Sequence, residues 1–392
     1  MSKLDELIQK LCPDGVEYRK IGEVTNYEQP SKYIVRNTDY RDEYETPVLT
    51  AGQSFVLGYT NESDGIYPAS KATPVIIFDD FTAAFKWVNF PFKVKSSAIK
   101  MITANESQLL IRFLFHWMGA LNYSSTEHTR LWIGTYSEFK IPVPPLPVQR
   151  EIVRILDNFT ELTAELTAEL TARKQQYAYY RDKLFDSYSE VDTKKIGKLT
   201  RVFSASRVHK DEWTNEGVPF FRSSDVVSAF NGGKNTRGKA YISRELYERL
   251  SAKSGKIEKD DILVTGGGTI GIPYIIPNDA PIYVKDADLI CIKRNEHILS
   301  KFLYHYFCST KFRDYLKSIT HNATIAHYTI TQIENTPVPV FPLKEQARIV
   351  SILDRFDTLC TDLSSGLPAE IEARQKQYEY YRDKLLTFTP AD

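Results

Sequence analysis

Residues 149–187 read QREIVRILDNFTELTAELTAELTARKQQYAYYRDKLFDS, with no Gly and no Pro among them. Ile152, Leu156, Phe159, Leu166, Leu170, Tyr177, Tyr180 and Leu184 step by 4, 3, 7, 4, 7, 3 and 4, with Thr163 and Arg173 filling the two missing slots. That is a heptad seam, and it predicts one long helix with a partner. At 1.5 Å per residue such a rod reaches roughly 55 Å. A rod of that length inside sequence of a different character must hold other parts together or apart.

The same rod occurs twice. PLPVQREIVRILDNF from Pro145 matches PLKEQARIVSILDRF from Pro342 at a shift of 197, and ARKQQYAYYRDKLF from Ala172 matches ARQKQYEYYRDKLL from Ala373 at a shift of 201. The second seam is therefore Ile349, Leu353, Phe356, Tyr378, Tyr381 and Leu385. Its middle holds Gly366 and Pro368, which predicts a kink near 364–368. Upstream of the rods, KIGEV (20–24) matches KIGKL (195–199), and RFLFHWM (112–118) matches KFLYHYF (301–307). Each half leaves through a proline-rich extended segment, KIPVPPLP or NTPVPVFPL, where missing backbone donors suit an edge strand leading into a helix.

The organisation is thus an N-terminal helix (1–16), a domain (17–145), a rod (146–190), a second domain (191–341) and a second rod (342–388). Both domains are read as strand-rich mixed α/β globules with one helix each. TPVIIFDDFTAAFKWV (73–88) and DDILVTGGGTIGIPYIIP (260–277) are the matching hairpins. The polar stretch between 25 and 70 shows no legible pattern.

Composition sets further bounds. A chain of 392 residues exceeds one ordinary core, and 42% apolar with 26% charged residues is the balance of a soluble globular protein. The first fifteen residues lack the apolar core of a signal peptide, and no run suits a membrane helix. Four scattered cysteines without a CxxC pair argue against a zinc ribbon and for a reduced, cytoplasmic setting. Net charge is zero, yet unevenly spread: residues 191–340 hold 22 Lys+Arg against 16 Asp+Glu, while 17–145 hold 13 against 14. A neutral total can conceal one basic domain.

The candidate chemical motifs each fail on context. Residues 266–271 satisfy GxGxxG after a strand, but Pro273 and the alternation that follows indicate another strand, where a dinucleotide site needs a helix. Asp79-Asp80 lacks the second acid and lysine of a metal nuclease, so it is read as a hairpin-turn pair. Asn89-Phe90-Pro91-Phe92 approaches an amine-methylating loop without its first proline or a methyl-donor glycine loop. There is no phosphate-binding GxxxxGK[ST], and His321 and His327 have no third ligand nearby. Of the tyrosines, Tyr179 and Tyr380 fall off the seams and are free to face a partner protein.

Taken in order, LCPDGVEYRKIGEV, the two helix starts PPLPVQREIVRILD and FPLKEQARIVSILD, and the paired YYRDKL ends resemble the DNA-specificity subunit of type I restriction–modification enzymes. The motifs cover about half the chain, and the duplicated domain–rod order covers nearly all of it. The resemblance implies an α+β chain of two target-recognition domains separated by two long antiparallel coiled-coil helices, internally duplicated about a pseudo-two-fold axis. It implies double-stranded DNA as a ligand, each domain reading half of a split site, and two methyltransferase subunits docked on the helices. Motor-nuclease subunits join in the full complex. S-adenosylmethionine belongs to the methyltransferase partners, and this chain has no catalytic or metal centre of its own. The competing classes are a stand-alone DNA methyltransferase or nuclease with a coiled-coil arm, and a structural coiled-coil adaptor.

Polar and basic residues around turns are the candidate base readers. In the first domain these are Lys71, Thr82, Lys86, Tyr123, Ser124, Thr126 and Arg130. In the second they are Arg207, Arg222, Ser223, Asn235, Arg237, Thr269 and His327.

Overall fold

In the computed structural model, which describes residues 2–52, 54–123, 129–186, 192–231, 240–284, 288–320, 327–362 and 365–391, the heptad pattern from Ile152 to Leu184 lies within a single 41-residue helix, Leu146–Asp186. The second copy is two helices, Leu343–Thr361 and Leu367–Leu385. At Gly366, in the break between them, an added Cβ would sit 2.7 Å from the Asp362 carbonyl oxygen and 2.8 Å from that of Thr358. A side chain cannot fit there.

The chain divides into two compact units, and the division runs through both rods. The first unit is Met1–Glu165 with Glu372–Asp392. It begins with α1 (Lys3–Leu11), whose Ser2 and Asp5 cap each other reciprocally. β1 (Tyr18–Lys20) and the short α2 (Ile21–Val24) follow, then β2 (Thr25–Glu28), β3 (Thr46–Leu49), β4 (Val56–Thr60), β5 (Val75–Asp79), β6 (Phe85–Val88), β7 (Lys93–Val94) and β8 (Ile99–Ala104). After α3 (Ile111–Leu121) comes β9 (Lys140–Pro142), which pairs antiparallel with β1 before α4 (Leu146–Asp186) starts. One sheet has the order β2-β8-β5-β6 and the other β4-β3-β7, with β3 and β7 parallel. The stretch without legible pattern thus supplies β2, β3 and β4.

The second unit, Leu166–Ile371, repeats this plan. β10 (Thr193–Lys195) leads into α5 (Ile196–Leu199), then β11 (Val202–Ser204), β12 (Trp213–Thr214), β13 (Val218–Phe221), α6 (Ser223–Phe230), β14 (Tyr241–Ile242), α7 (Arg244–Ser254), β15 (Ile262–Thr265), β16 (Pro273–Ile275), β17 (Tyr283–Val284) and β18 (Leu289–Ile292). Helices α8 (Ser300–Cys308), α9 (Thr310–Thr320) and α10 (Ile330–Asn335) precede β19 (Pro337–Pro339), which pairs with β10. α11 (Leu343–Thr361) and α12 (Leu367–Leu385) complete the chain. The sheet β11-β18-β15-β16 matches β2-β8-β5-β6 strand for strand, and the parallel pair β13–β17 matches β3–β7. Both expected hairpins form, β5 with β6 and β15 with β16.

Apart from the four-residue α2 and α5, the expectation of one helix per domain holds for the first but not for the second, which also carries α6 and α7 between β13 and β15 and α9 and α10 after α8. Each has a local cause. α7, for example, opens on Ser243, whose hydroxyl accepts from the Leu246 amide, and stops at Gly255.

In the first unit Ile152 and Leu156 are fully buried beside Tyr378 and Leu385 of α12, and in the second Ile349 and Leu353 are buried beside Tyr177 and Leu184 of α4. Burying each such aliphatic side chain stabilises by about 1.5–3 kcal/mol. The paired positions stack: Phe159 on Tyr381 at 5.3 Å, and Phe356 on Tyr180 at 5.8 Å. Leu166 and Leu170 are half-buried on α4. The heptad spacing puts Leu184 and Leu385 on the seams, yet the residues buried at those ends are their neighbours, Phe185 (0% exposed) and Leu386 (5%). Phe185 packs on Phe302 and Tyr306 of the second domain.

The termini meet inside the first unit. Val16 donates to Thr389 O (2.9 Å) and the Ala391 amide donates to Val16 O (2.9 Å). Lys3 reaches Glu151 at 3.1 Å. Hydrogen bonds from Arg154 and Lys3 overcome burial and hold that carboxyl down at about 2. No helix among the described residues is long and apolar enough to cross a membrane.

Candidate nucleic-acid interface

Three devices recur in each unit near the junction of domain and rods, the first two built on buried side chains. The first is a glutamine. Gln149, fully buried, accepts from the Leu110 amide (2.8 Å) and donates to the carbonyls of Gln108 and Pro144 (both 2.7 Å). Gln346 does the same with the Leu299 amide (2.9 Å) and the carbonyls of His297 and Phe341 (both 2.8 Å).

The second is a histidine reaching both rods. His116 on α3 donates from Nε2 to Asp157 on α4 (2.9 Å), and its Nδ1 accepts from the Tyr378 hydroxyl on α12 (2.9 Å). In the second unit His305 on α8 meets Asp354 on α11 and Tyr177 on α4, again at 2.9 Å each. Burial lowers His116 from its ordinary value, which keeps the imidazole neutral and able to accept at Nδ1. Burial also raises both phenols, so each remains a donor. Burial pushes the Asp157 carboxyl up, but the His116 hydrogen bond and the Arg112 charge outweigh it and hold the carboxyl below its usual range. Asp354 is lowered likewise, by His305 and Lys301 against burial.

The third device is a short glycine helix after the entry strand. A Cβ on Gly197 would lie 2.9 Å from the Glu334 Cβ, and one on Gly22 would lie 3.2 Å from the Ser137 Cβ. A larger residue would push the entry strand off the segment that leads to the exit strand. The glycine and the helical histidine lie in the matched entry and helix motifs given above. The partly exposed Asp157 and Asp354 and the buried Gln149 and Gln346 were missed, although each stands inside the repeated helix starts.

With the domains fixed in this way, some of the candidate readers gather at one end of each main sheet. In the first domain the β5–β6 turn is capped by Asp79, whose carboxylate accepts from the amides of Phe81 and Thr82. Thr82, Lys86 and Tyr123 line one open cleft with Met118 and Asn122 there. Arg130 joins them, 3.3 Å from Asp80 and over the Phe81 ring at 5.8 Å. Asp80 itself is buried, accepting from the Trp132 amide (2.8 Å) and pairing with buried Lys100 (3.3 Å). The Asp pair is therefore a turn cap and an internal ion pair. Lys71 is exposed in the turn between Ser70 and Thr73, before β5, and the length of that strand separates it from the others. Ser124 and Thr126 lie outside the described residues.

In the second domain Thr269 and His327 are exposed beside the glycine turn of β15–β16. The Tyr328 amide donates to Gly266 O (2.8 Å), and both the Gly266 amide and the Ser223 hydroxyl donate to Asp288 O (2.7 and 3.1 Å). Arg222 is next to Ser223, but its guanidinium is engaged bidentately by Asp225 (3.0 and 2.9 Å), so it caps α6 and offers little to a ligand. Arg207 is exposed in the loop after β11, apart from this group. Asn235 and Arg237 lie outside the described residues. On the rods, Tyr179 (60% exposed) and Tyr380 (62%) project into solvent at equivalent positions.

Comparison with known proteins agrees with this duplication. The family model of the type I restriction modification DNA specificity domain matches twice, at residues 13–173 and 188–373. The chain is 42% identical over 406 aligned positions to the type I restriction enzyme EcoR124I/EcoR124II specificity subunit of Escherichia coli, covering 99% of this chain and 98% of that one. Among solved structures it resembles the S subunit of a type I restriction–modification system from M. genitalium, with a TM-score of 0.57, 14% identity and coverage of 95% and 96%. A chain from a structure of type I complex assembly and conformational transition matches with a TM-score of 0.55, 18% identity and coverage of 94% and 99%. Two matched domains, a full-length relative and one fold shared end to end place this chain in the family of type I restriction–modification DNA-specificity subunits.

Proposed function

We propose that this chain supplies the sequence specificity of a type I restriction–modification complex and performs no chemistry itself. Domain 17–145 reads one half, and domain 191–341 the other half, of an asymmetric split site in double-stranded DNA. The rods set the distance between the halves and carry two methyltransferase subunits, which bind S-adenosylmethionine. Motor-nuclease subunits complete the assembly in the cytoplasm. The observation that carries this is the pair of equivalent hairpin ends, each holding exposed polar side chains on a main sheet and rod anchoring that occur in both units. Near-neutral charge fits a chain whose partners provide much of the phosphate binding.

The test uses the tetrapeptide repeat TAEL-TAEL at 163–170. One further TAEL lengthens the helix by about 6 Å, against about 3.4 Å per base pair of B-DNA. Mapping methylated adenines in cells with either chain should show both half-sites kept and their spacing changed by about one to two base pairs. Unchanged spacing with altered half-site bases would refute the rod as ruler.

A further inference from the structure

The two hairpin ends share a backbone corner. In the first domain the Leu131 amide donates to Asp80 O (2.7 Å), while the Asp80 amide donates to Ala98 O (2.8 Å). In the second, the Tyr328 amide donates to Gly266 O (2.8 Å), while the Gly266 amide donates to Asp288 O (2.7 Å). Arg130 and His327, each preceding the donating residue, are separated by 197 positions (327 minus 130), the shift that superimposes the two rod starts. The scaffold of the corner is therefore conserved between the domains while its presented side chain differs.

We infer that this corner is the shared reading position of both domains, and that Arg130 there recognises the O6/N7 edge of a guanine. This rests on the DNA-reading function proposed above.

The electrostatics of the first corner point to Arg130 as a presented group. Lys100 already balances buried Asp80, so Arg130 brings a surplus positive charge. Nη1 is held at 3.3 Å by the carboxylate and the guanidinium lies over Phe81, yet the side chain stays 55% exposed. A fork tethered at one nitrogen loses less freedom when its remaining N–H groups engage a pair of acceptors.

Two adjacent acceptors in the geometry of that fork occur on the guanine major-groove edge and on a phosphate. The surroundings favour the base. Domain 17–145 holds 13 cationic against 14 anionic residues, so it lacks the field of a backbone-binding patch. Three residues on, Ile133 is 63% exposed, an apolar side chain suited to a thymine methyl on the groove floor and ill suited to a phosphate row. In the second domain, glycine at the corner removes both tether and buried charge, and His327 presents an imidazole instead. One scaffold thus carries two different letters, as an asymmetric site demands.

The experiment maps methylation motifs made by the full chain assembled with its methyltransferase subunits, using Arg130→Lys, Arg130→Gln and His327→Ala. Both Arg130 variants should relax one guanine position of a single half-site, by about 5- to 150-fold in discrimination. Spacing and the other half-site should stay unchanged, and His327→Ala should relax a position in that other half. An unchanged motif, or uniform loss at all sites with a shallower salt dependence of binding, overturns the inference, the latter by identifying a phosphate contact. Exchange of residues 17–145 for the domain of another specificity subunit separates the two levels. If the half-site follows the domain while the Arg130 variants leave the motif intact, only the corner fails. If the motif ignores the exchanged domain, the proposed function fails as well.

Discussion

Changing Tyr378 to Phe removes one hydroxyl and keeps the ring. The deleted group is the donor to Nδ1 of His116, a side chain with no solvent exposure. Leaving a buried acceptor without a partner costs about 1–3 kcal/mol. For a unit of roughly 150–250 residues, each kcal/mol lowers the midpoint by about 2–4 °C, so the first unit should melt about 2–12 °C lower. The second unit should be untouched, and Tyr177→Phe should reverse the pattern because it removes the same bond to His305. Calorimetry of the purified chain reads both. A double-mutant cycle isolates the bond: in a His116→Phe background, Tyr378→Phe should cost close to nothing, since no acceptor is left stranded. If Tyr378→Phe costs the same in both backgrounds, the loss comes from packing of the ring against the first core, and the hydrogen-bonded clamp is not what holds the domain to the rods.

Acid should open the first unit through the same clamp. His116 and Asp157 are both depressed in the folded chain, so their contribution is complete above the unfolded histidine value of about 6.5 and declines as pH falls below it. Urea midpoints between pH 8 and 5 should fall for the wild type, at up to about 1.4 kcal/mol per pH unit for the histidine proton alone. The histidine part of that slope should vanish in His116→Phe, Tyr378→Phe. Gln149→Ala and Gln346→Ala each strand one amide and two carbonyls at the base of a rod. Each should destabilise its own unit by at least about 1–3 kcal/mol, and Glu at either position, which cannot donate to those carbonyls, should not restore stability.

What the sequence could disclose followed from periodicity and repetition. A gap-free heptad seam, its second copy and two apolar hairpins are long-range signals that survive without knowledge of partners. The polar neighbours were opaque for a physical reason. Asp157 lies on α4 and His116 on α3, 41 residues earlier, and no spacing rule relates them. Asp80 looked like half of a turn because its burial depends on Lys100, a strand away, and on the Trp132 amide. Arg222 looked available because its engagement with Asp225 across the first turn of α6 depends on a helix that was not expected there. The α7 boundaries were legible in principle, with Ser243 as cap and Gly255 as stop, but the helix was masked by the expectation of a strand-rich domain.

Duplication divides the chain into parts that are held constant and parts free to change. The clamp histidines, the buried glutamines and the entry–exit strand pairs recur with the same partners in both units, so each domain meets its rods through one fixed set of bonds. None of these groups is at the hairpin ends. The hairpin corners repeat only their backbone bonds: aspartate becomes glycine, and arginine becomes histidine. A substitution at a corner therefore alters a presented side chain without disturbing the anchoring that fixes where it is presented. Specificity can change while geometry persists, which is the separation a modular reader of two unlike half-sites requires.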